Sequence, residues 1–264
     1  MDQQPSSPAD VVVVGAGMVA HRFAESLLSR ADADVRLTVI GEEQHPPYDR
    51  VGLTRYFSGD APEQLHLDAA VFDDGRATLT TGDPVVRIDR RRRRVHTRSR
   101  RSFAYDSLVL ATGSRAARVA VEGSDLPGCF VYRTLDDVQA LETFARQRSQ
   151  ELGRPLSGTV IGGGLLGLEA AGALQGLGVS CMVVQSSDRL MSAQLDSVGG
   201  EVLGRLIEQR GIAVRTRTRT VRLDADDSGS VTALQFEDGG EITTEVSIEV
   251  DAPAAGGAAP GHHH

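Results

Sequence analysis

The chain has no lysine, no asparagine and no tryptophan among its 264 residues, so all 28 basic side chains are arginine. Chemistry through a lysine amine, whether a Schiff base or a P-loop lysine, is thereby excluded. Only two cysteines occur, Cys129 and Cys181. They are too far apart for a redox Cys-x-x-Cys pair and too few to cage zinc or an iron–sulfur cluster. They read as buried or free thiols in a reducing cytosol, so a cytoplasmic location is expected. No apolar run approaches the roughly 18 residues of a membrane span, and the start MDQQPSSPAD lacks the charged and apolar regions of a secretion signal. No membrane partner is expected. Excess positive charge is missing too: 36 acids leave a net charge of −8, which disfavours a general nucleic-acid binder.

What the chain does have is an approximate internal repeat. An apolar strand, a glycine-rich turn and an apolar-striped helix occur as VVVVGAGMVAHRFAESLLSR (11–30) and again as GTVIGGGLLGLEAAGALQGLG (158–178). Four consecutive valines suit a parallel strand covered on both faces, and Ala20, Phe23, Ala24, Leu27 and Leu28 follow the helical period. Each copy is followed by a second strand, RLTVIGEE (36–43) or VSCMVVQS (179–186), so each opens a βαβ unit. The expected fold is α/β with two Rossmann-like doubly wound domains, at 1–122 and 123–250. Short strands at 85–88, 95–97 and 103–105 predict a β-meander insertion before a returning strand at 107–113. Thr134 with Asp136 and Asp137 caps a helix, Val202 to Ile207 mark another ending at Gly211, and strands near 212–216, 231–236 and 241–250 complete the second domain. The tail 251–264, rich in alanine, glycine and proline, is expected to be disordered. Its three histidines read as a tag remnant, a wrong-frame product or a weak metal tract.

The glycine turns carry the chemistry. Gly15 permits a sharp bend, Gly17 lets backbone approach a pyrophosphate, and Ala20 keeps helix and strand close. Glu42, or less favourably Glu43, stands at the end of the next strand, where a carboxylate accepts from ribose hydroxyls. Gly162, Gly164 and Gly167 complete the full G-x-G-x-x-G spacing in the second copy. Two dinucleotides, one per fold, suit hydride transfer between nicotinamide and flavin. The second strand ends in Gln185, not an acid, and Arg189 is near, so tolerance of NADPH is expected over strict use of NADH. The nine arginines from Arg87 to Arg101 alternate with Ile88, Val95 and Phe103, as in a hairpin with one wet face. No aromatic interleaving supports base stacking. His21 and His96 lack metal-ligand spacing, and no metal site is expected.

Beyond the two glycine motifs, PPYDRVGLTRYFSG (46–59), YDSLVLATGSRA (105–116) and GCFVYRTLDDV (128–138) make the chain resemble the N-terminal part of the large subunit of NAD(P)H-dependent assimilatory nitrite reductase, in the glutathione-reductase-like flavoprotein superfamily. The resemblance runs from about residue 11 to about 247. It implies FAD on the first fold, with Gly15, Gly17 and Ala20 at the pyrophosphate and Glu42 at the ribose, and NAD(P)H on the second. It further implies Arg50 and Arg55 in a loop near the flavin, the backbone of Val85 at the adenine, Ala111, Thr112 and Gly113 beside the cofactor, and Glu169 near the nicotinamide carboxamide and flavin. Guanidinium groups suit diphosphate or reduced-flavin charge; the alternative is that Arg50 and Arg55 are surface loop arginines and Glu169 a surface helix residue. The implied partner is an electron-acceptor domain or subunit with an iron–sulfur cluster and siroheme. The family's later crossover, flavin-binding aspartate and metal domains have no counterpart in this sequence, so an incomplete FAD domain and a truncated reading are expected. Two rivals stay open: an NAD(P)H reductase for rubredoxin or ferredoxin, and an inactive fragment that holds nucleotide alone.

Overall fold

The computed structural model describes residues 7–30, 32, 34–114 and 121–250. The expected disordered tail and residues 115–120, just before the expected domain boundary, lie outside them. The chain divides into two compact units between Arg115 and Ala116.

In the first unit the order is β1 (Ala9–Val14), α1 (Met18–Leu28), β2 (Val35–Ile40), three short 3-10 helices (Arg50–Ser58, Pro62–Leu65, Ala69–Phe72), β3 (Ala77–Thr80), β4 (Val85–Asp89), β5 (Arg94–Thr97), β6 (Ser102–Ala104) and β7 (Ser107–Leu110). A parallel sheet runs β3-β2-β1-β7. The valine run explains its place at the centre. Val11 and Val13 pack against Ala20, Ala24 and Leu28 of α1, while Val12 and Val14 turn the other way, toward Val95, Val85 and Phe103 of the meander. Alternate residues of one strand thus fill two cores, each buried aliphatic side chain contributing roughly 1.5–3 kcal/mol.

Strands β4, β5 and β6 form the expected meander as a separate antiparallel sheet. Its arginines face outward, and Arg92 pairs with Asp89 at 3.1 Å. Ile88 departs from the expected alternation and is exposed; the register shift between Val85 and Arg87 disturbs the period. Asp83 fastens the base of this sheet, accepting from Ser99 N (2.9 Å), Ser99 Oγ (2.6 Å) and Arg101 Nε (2.9 Å). Burial works against its charge, but these bonds outweigh it and hold the carboxyl well below its usual range. His21 is buried, with Nε2 2.8 Å from the Asp68 carbonyl.

The second unit contains β8 (Cys129–Val131), α2 (Leu135–Leu152), β9 (Ser157–Ile161), α3 (Leu165–Gly176), β10 (Ser180–Val184), α4 (Ser197–Gln209), β11 (Ala213–Arg215), β12 (Thr220–Ala225), β13 (Val231–Phe236), β14 (Glu241–Thr243) and β15 (Val246–Glu249). Its parallel sheet runs β11-β10-β9-β15-β8, and β12-β13-β14 form a second antiparallel meander. Thr134 and Asp137 make the expected reciprocal cap of α2, at 3.1 and 2.8 Å. Asp196 caps α4 through Gly199 N at 2.7 Å. Strand β12 has no clear sequence signal because register shifts at both ends interrupt its alternation, leaving only Thr220 and Leu223 buried.

Candidate functional site

The two glycine turns are built to one plan. Gly15 follows β1 at φ +107° and Gly162 follows β9 at φ +114°, a region that side chains rarely permit. Gly15 N donates to Ile40 O and Gly162 N donates to Val184 O, both at 2.8 Å, so each turn is bonded to the end of the next strand. A Cβ at Gly15 would lie 2.1 Å from Ala111 O, and one at Gly162 would lie 2.8 Å from Val250 O. These two glycines are therefore demanded by the fold. So is Gly167, where a Cβ would stand 1.9 Å from Gly162 O. Ala20, at the matching place in the first turn, is fully buried in its core.

Gly17 and Gly164 are different. Their φ values, −89° and −83°, suit any residue, and an added Cβ would meet nothing within 4 Å. They are the N-cap residues of α1 and α3, and neither helix start has a side-chain cap or an acid in its first turn. Serine or aspartate there would satisfy free amides, as Thr134 and Asp196 do on α2 and α4. Folding alone thus gives no reason for glycine at either place. Open space above uncapped N–H groups, at the positive end of a helix dipole, fits a diphosphate. Met18 and Val19 beside one nest, and Leu165 and Leu166 beside the other, expose apolar surface suited to an organic ring.

The first unit gathers its other candidates around this edge. Ala111 N donates to Val14 O at 2.8 Å, which brings Ala111, Thr112 and Gly113 beside Gly15. Glu42 is exposed just past β2, whereas Glu43 is engaged by the Tyr48 hydroxyl (2.6 Å) and by Arg50. The Asp83 amide donates to Gly41 O at 3.0 Å, so Val85 starts the meander close to the same strand end. Arg50 lies over the Tyr48 ring, 5.2 Å from its centroid, and Arg55 bonds Asp49 at 3.3 Å. Both arginines are thus held by acids of their own loop.

In the second unit Gly162, Gly164 and Gly167 shape the turn, and Gln185 takes a role the sequence does not announce. Its position matches Gly41, not Glu42, because Val184 and Ile40 are the equivalent acceptors of the two turns. The Gln185 side chain is buried, accepting from Gly163 N (3.2 Å) and donating to Ser187 Oγ (2.6 Å). The counterpart of Glu42 is Ser186, which is exposed. Arg189 is spent on its loop, donating to Leu195 O (2.9 Å) and Asp188 Oδ1 (2.8 Å). Glu169 sits half-buried on α3, and burial pushes its carboxyl pKa up. Cys129 and Cys181 are both buried and neither forms a disulfide, and burial pushes the Cys181 thiol up to about 12. Neither is suited to dithiol exchange.

Paired parallel sheets with an open glycine nest at the carboxyl end of each define a dinucleotide-binding oxidoreductase architecture. Residues 9–252 match the pyridine nucleotide-disulphide oxidoreductase family, and the chain belongs to that family, whose members bind FAD and NAD(P)H. It is 39% identical over 244 residues to the nitrite reductase (NADH) large subunit of Escherichia coli, covering 92% of this chain and 28% of that protein. It is 34% identical over 220 residues to rhodocoxin reductase of Rhodococcus erythropolis, covering 82% and 50%. Among solved structures, a ferredoxin reductase from Rhodopseudomonas palustris superposes with a TM-score of 0.81 at 29% identity, covering 91% of this chain and 58% of that one. The chain thus spans little more than a quarter of the nitrite reductase subunit and about half of the shorter relatives. Among the described residues no helix is long and apolar enough to cross a membrane.

Proposed function

We propose that the chain is the electron-entry module of an NAD(P)H-dependent flavoenzyme of nitrite reductase type, with FAD on residues 1–122, NAD(P)H on 123–250, and electrons leaving for an iron–sulfur and siroheme centre outside this chain. The observation that supports it best is the pair of glycines, Gly17 and Gly164, kept open over uncapped helix starts where the fold would accept a side chain. When bound, nicotinamide and flavin supply hydride transfer and the change from a two-electron donor to single-electron delivery.

The chain's own residues bind and orient. Gly15 and Gly17 present backbone amides to the FAD diphosphate, Glu42 accepts from its ribose, Ala111 to Gly113 and the Val85 backbone flank it, and Arg50 and Arg55 add positive charge nearby. Gly162, Gly164 and Gly167 do the same for NAD(P)H, with Gln185 holding the loop. Glu169, with its raised pKa, is the residue we assign to the nicotinamide carboxamide. A cytoplasmic location accords with two cysteines that form no disulfide and with a nicotinamide reductant.

A purified, FAD-reconstituted chain titrated anaerobically with NADH and NADPH tests the reading. Bleaching of the bound flavin is expected, and failure to retain flavin would favour the nucleotide-holding fragment. A second reading, a reductase for a ferredoxin- or rubredoxin-type carrier, is favoured by the likeness to rhodocoxin reductase. Reduction of such a carrier by this chain alone would support it over a nitrite-reducing assembly.

A further inference from the structure

Arg189 is not the only arginine near the end of β10, and it is the less available one. Arg217 follows β11, and its backbone N–H donates to Ser187 O at 2.8 Å, while Gln185 N donates to Arg215 O at 2.8 Å and Thr218 N to Gln185 O at 3.1 Å. Three backbone bonds therefore stitch the loop after β11 to the loop after β10. This brings a residue distant in sequence against Ser187, the chain neighbour of Ser186, the exposed counterpart of Glu42. Asp188, Arg189 and Arg217 also line one cleft of about 380 Å³ together with α4. In that cleft Asp188 is paired with Arg189 at 2.8 Å, and Glu201 is paired with Arg205. Glu208 is the acid with no such pairing, and Arg217 is the exposed arginine whose guanidinium has no partner among the described residues.

Resting on the reading of the second unit as the NAD(P)H site, we propose that Arg217, with the Ser186 hydroxyl, recognises the 2′-phosphate of NADPH and sets nucleotide preference. A carboxylate at the position of Ser186 would accept from ribose hydroxyls and repel a phosphate; a serine carries no charge to repel one, and its hydroxyl can donate to it. A guanidinium on the loop bonded to this one, lining a cleft with Asp188 and Arg189, supplies the planar, charge-assisted contact that a phosphate dianion takes. Arg189 cannot do this without abandoning Leu195 O and exposing Asp188 to the phosphate.

The test is equilibrium binding to the full chain of 2′,5′-ADP against 5′-AMP, and of NADPH against NADH, for the unaltered protein, Arg217→Asn and Arg217→Glu. Asparagine suits the backbone here, since Arg217 has φ +52° and asparagine tolerates the left-handed region. The unaltered chain is expected to bind 2′,5′-ADP more tightly than 5′-AMP. Arg217→Asn should weaken 2′,5′-ADP and NADPH by about tenfold, and Arg217→Glu by more, while 5′-AMP and NADH change by less than about twofold. Equal effects on both members of each pair, or no effect, would overturn the role of Arg217. A folded, unaltered chain that binds none of the four would overturn the nucleotide reading itself. Circular dichroism of each variant separates lost binding from lost fold.

Discussion

The two glycine turns share their backbone but not the residue that answers it from the next strand. In the first unit Gly41 follows the strand, a Cβ there would stand 2.7 Å from the Ala16 methyl, and Glu42 is left outward. In the second the sizes are exchanged. Gly163 is the small partner, and the larger Gln185 reaches across to accept its amide hydrogen. The same nest is thus braced by packing in one unit and by a side-chain hydrogen bond in the other. On the proposed reading, the turn holds the diphosphate and the residues just beyond the following strand face the rest of the nucleotide.

The largest effects should separate glycines the fold requires from glycines it does not. Gly15→Ala combines a left-handed backbone with a Cβ 2.1 Å from Ala111 O, and Gly167→Ala drives a methyl to 1.9 Å from Gly162 O. Each should cost roughly 3 kcal/mol or more, read as a lower denaturant midpoint. Gly17→Asp and Gly164→Asp should leave stability within about 0.5 kcal/mol, because aspartate caps a helix at least as well as glycine does. Yet Gly17→Asp should weaken FAD, and Gly164→Asp should weaken NAD(P)H, by about a hundredfold, since a carboxylate beside a diphosphate is repelled. Binding that survives both aspartates would break the parallel between the turns.

A middle-sized effect should fall on one turn alone. Gln185→Ala leaves Gly163 N and the Ser187 hydroxyl without their partner, at a cost of about 1–2 kcal/mol. Nicotinamide nucleotide should bind more weakly, with FAD unaffected. An equal loss of both cofactors would mean that the brace does not belong to the second nest in particular.

Sequence alone reaches the parts of this architecture that are written in local periods. Four valines in a row announce β1, the Thr134 and Asp137 spacing announces α2, and the glycine spacing announces both nests. It does not reach β3, because ATLT is short and half polar, or β12, whose bulges scramble the alternation. At the candidate site it names Gln185 as the residue ending the second strand, but its alignment with Gly41 is visible only once Val184 is seen to accept from Gly162 as Ile40 does from Gly15. Arg217 has no local signal at all. It sits in an arginine–threonine alternation, RTRTRT, in which nothing distinguishes one arginine from the next until backbone bonds tie it to Ser187.

The smallest expected effect concerns Glu169, for which the first unit offers no matched carboxylate: His21 and Arg22 stand at the corresponding stretch of α1. Burial raises the pKa of Glu169, so the folded chain holds its proton more tightly than the unfolded chain does. Its contribution to stability is therefore fully present below the unfolded value of about 4.5, and is lost as pH rises through the higher folded value. At pH 7 the charged carboxylate is a small net cost. Glu169→Gln should accordingly raise the thermal midpoint of the cofactor-free chain slightly at pH 7 and leave it unchanged near pH 4. In the reconstituted protein the same substitution should slow flavin bleaching by NAD(P)H and flatten its dependence on pH. A variant that gains stability at neutral pH while bleaching at the unaltered rate would reduce Glu169 to a half-buried surface acid and leave the two helices functionally alike.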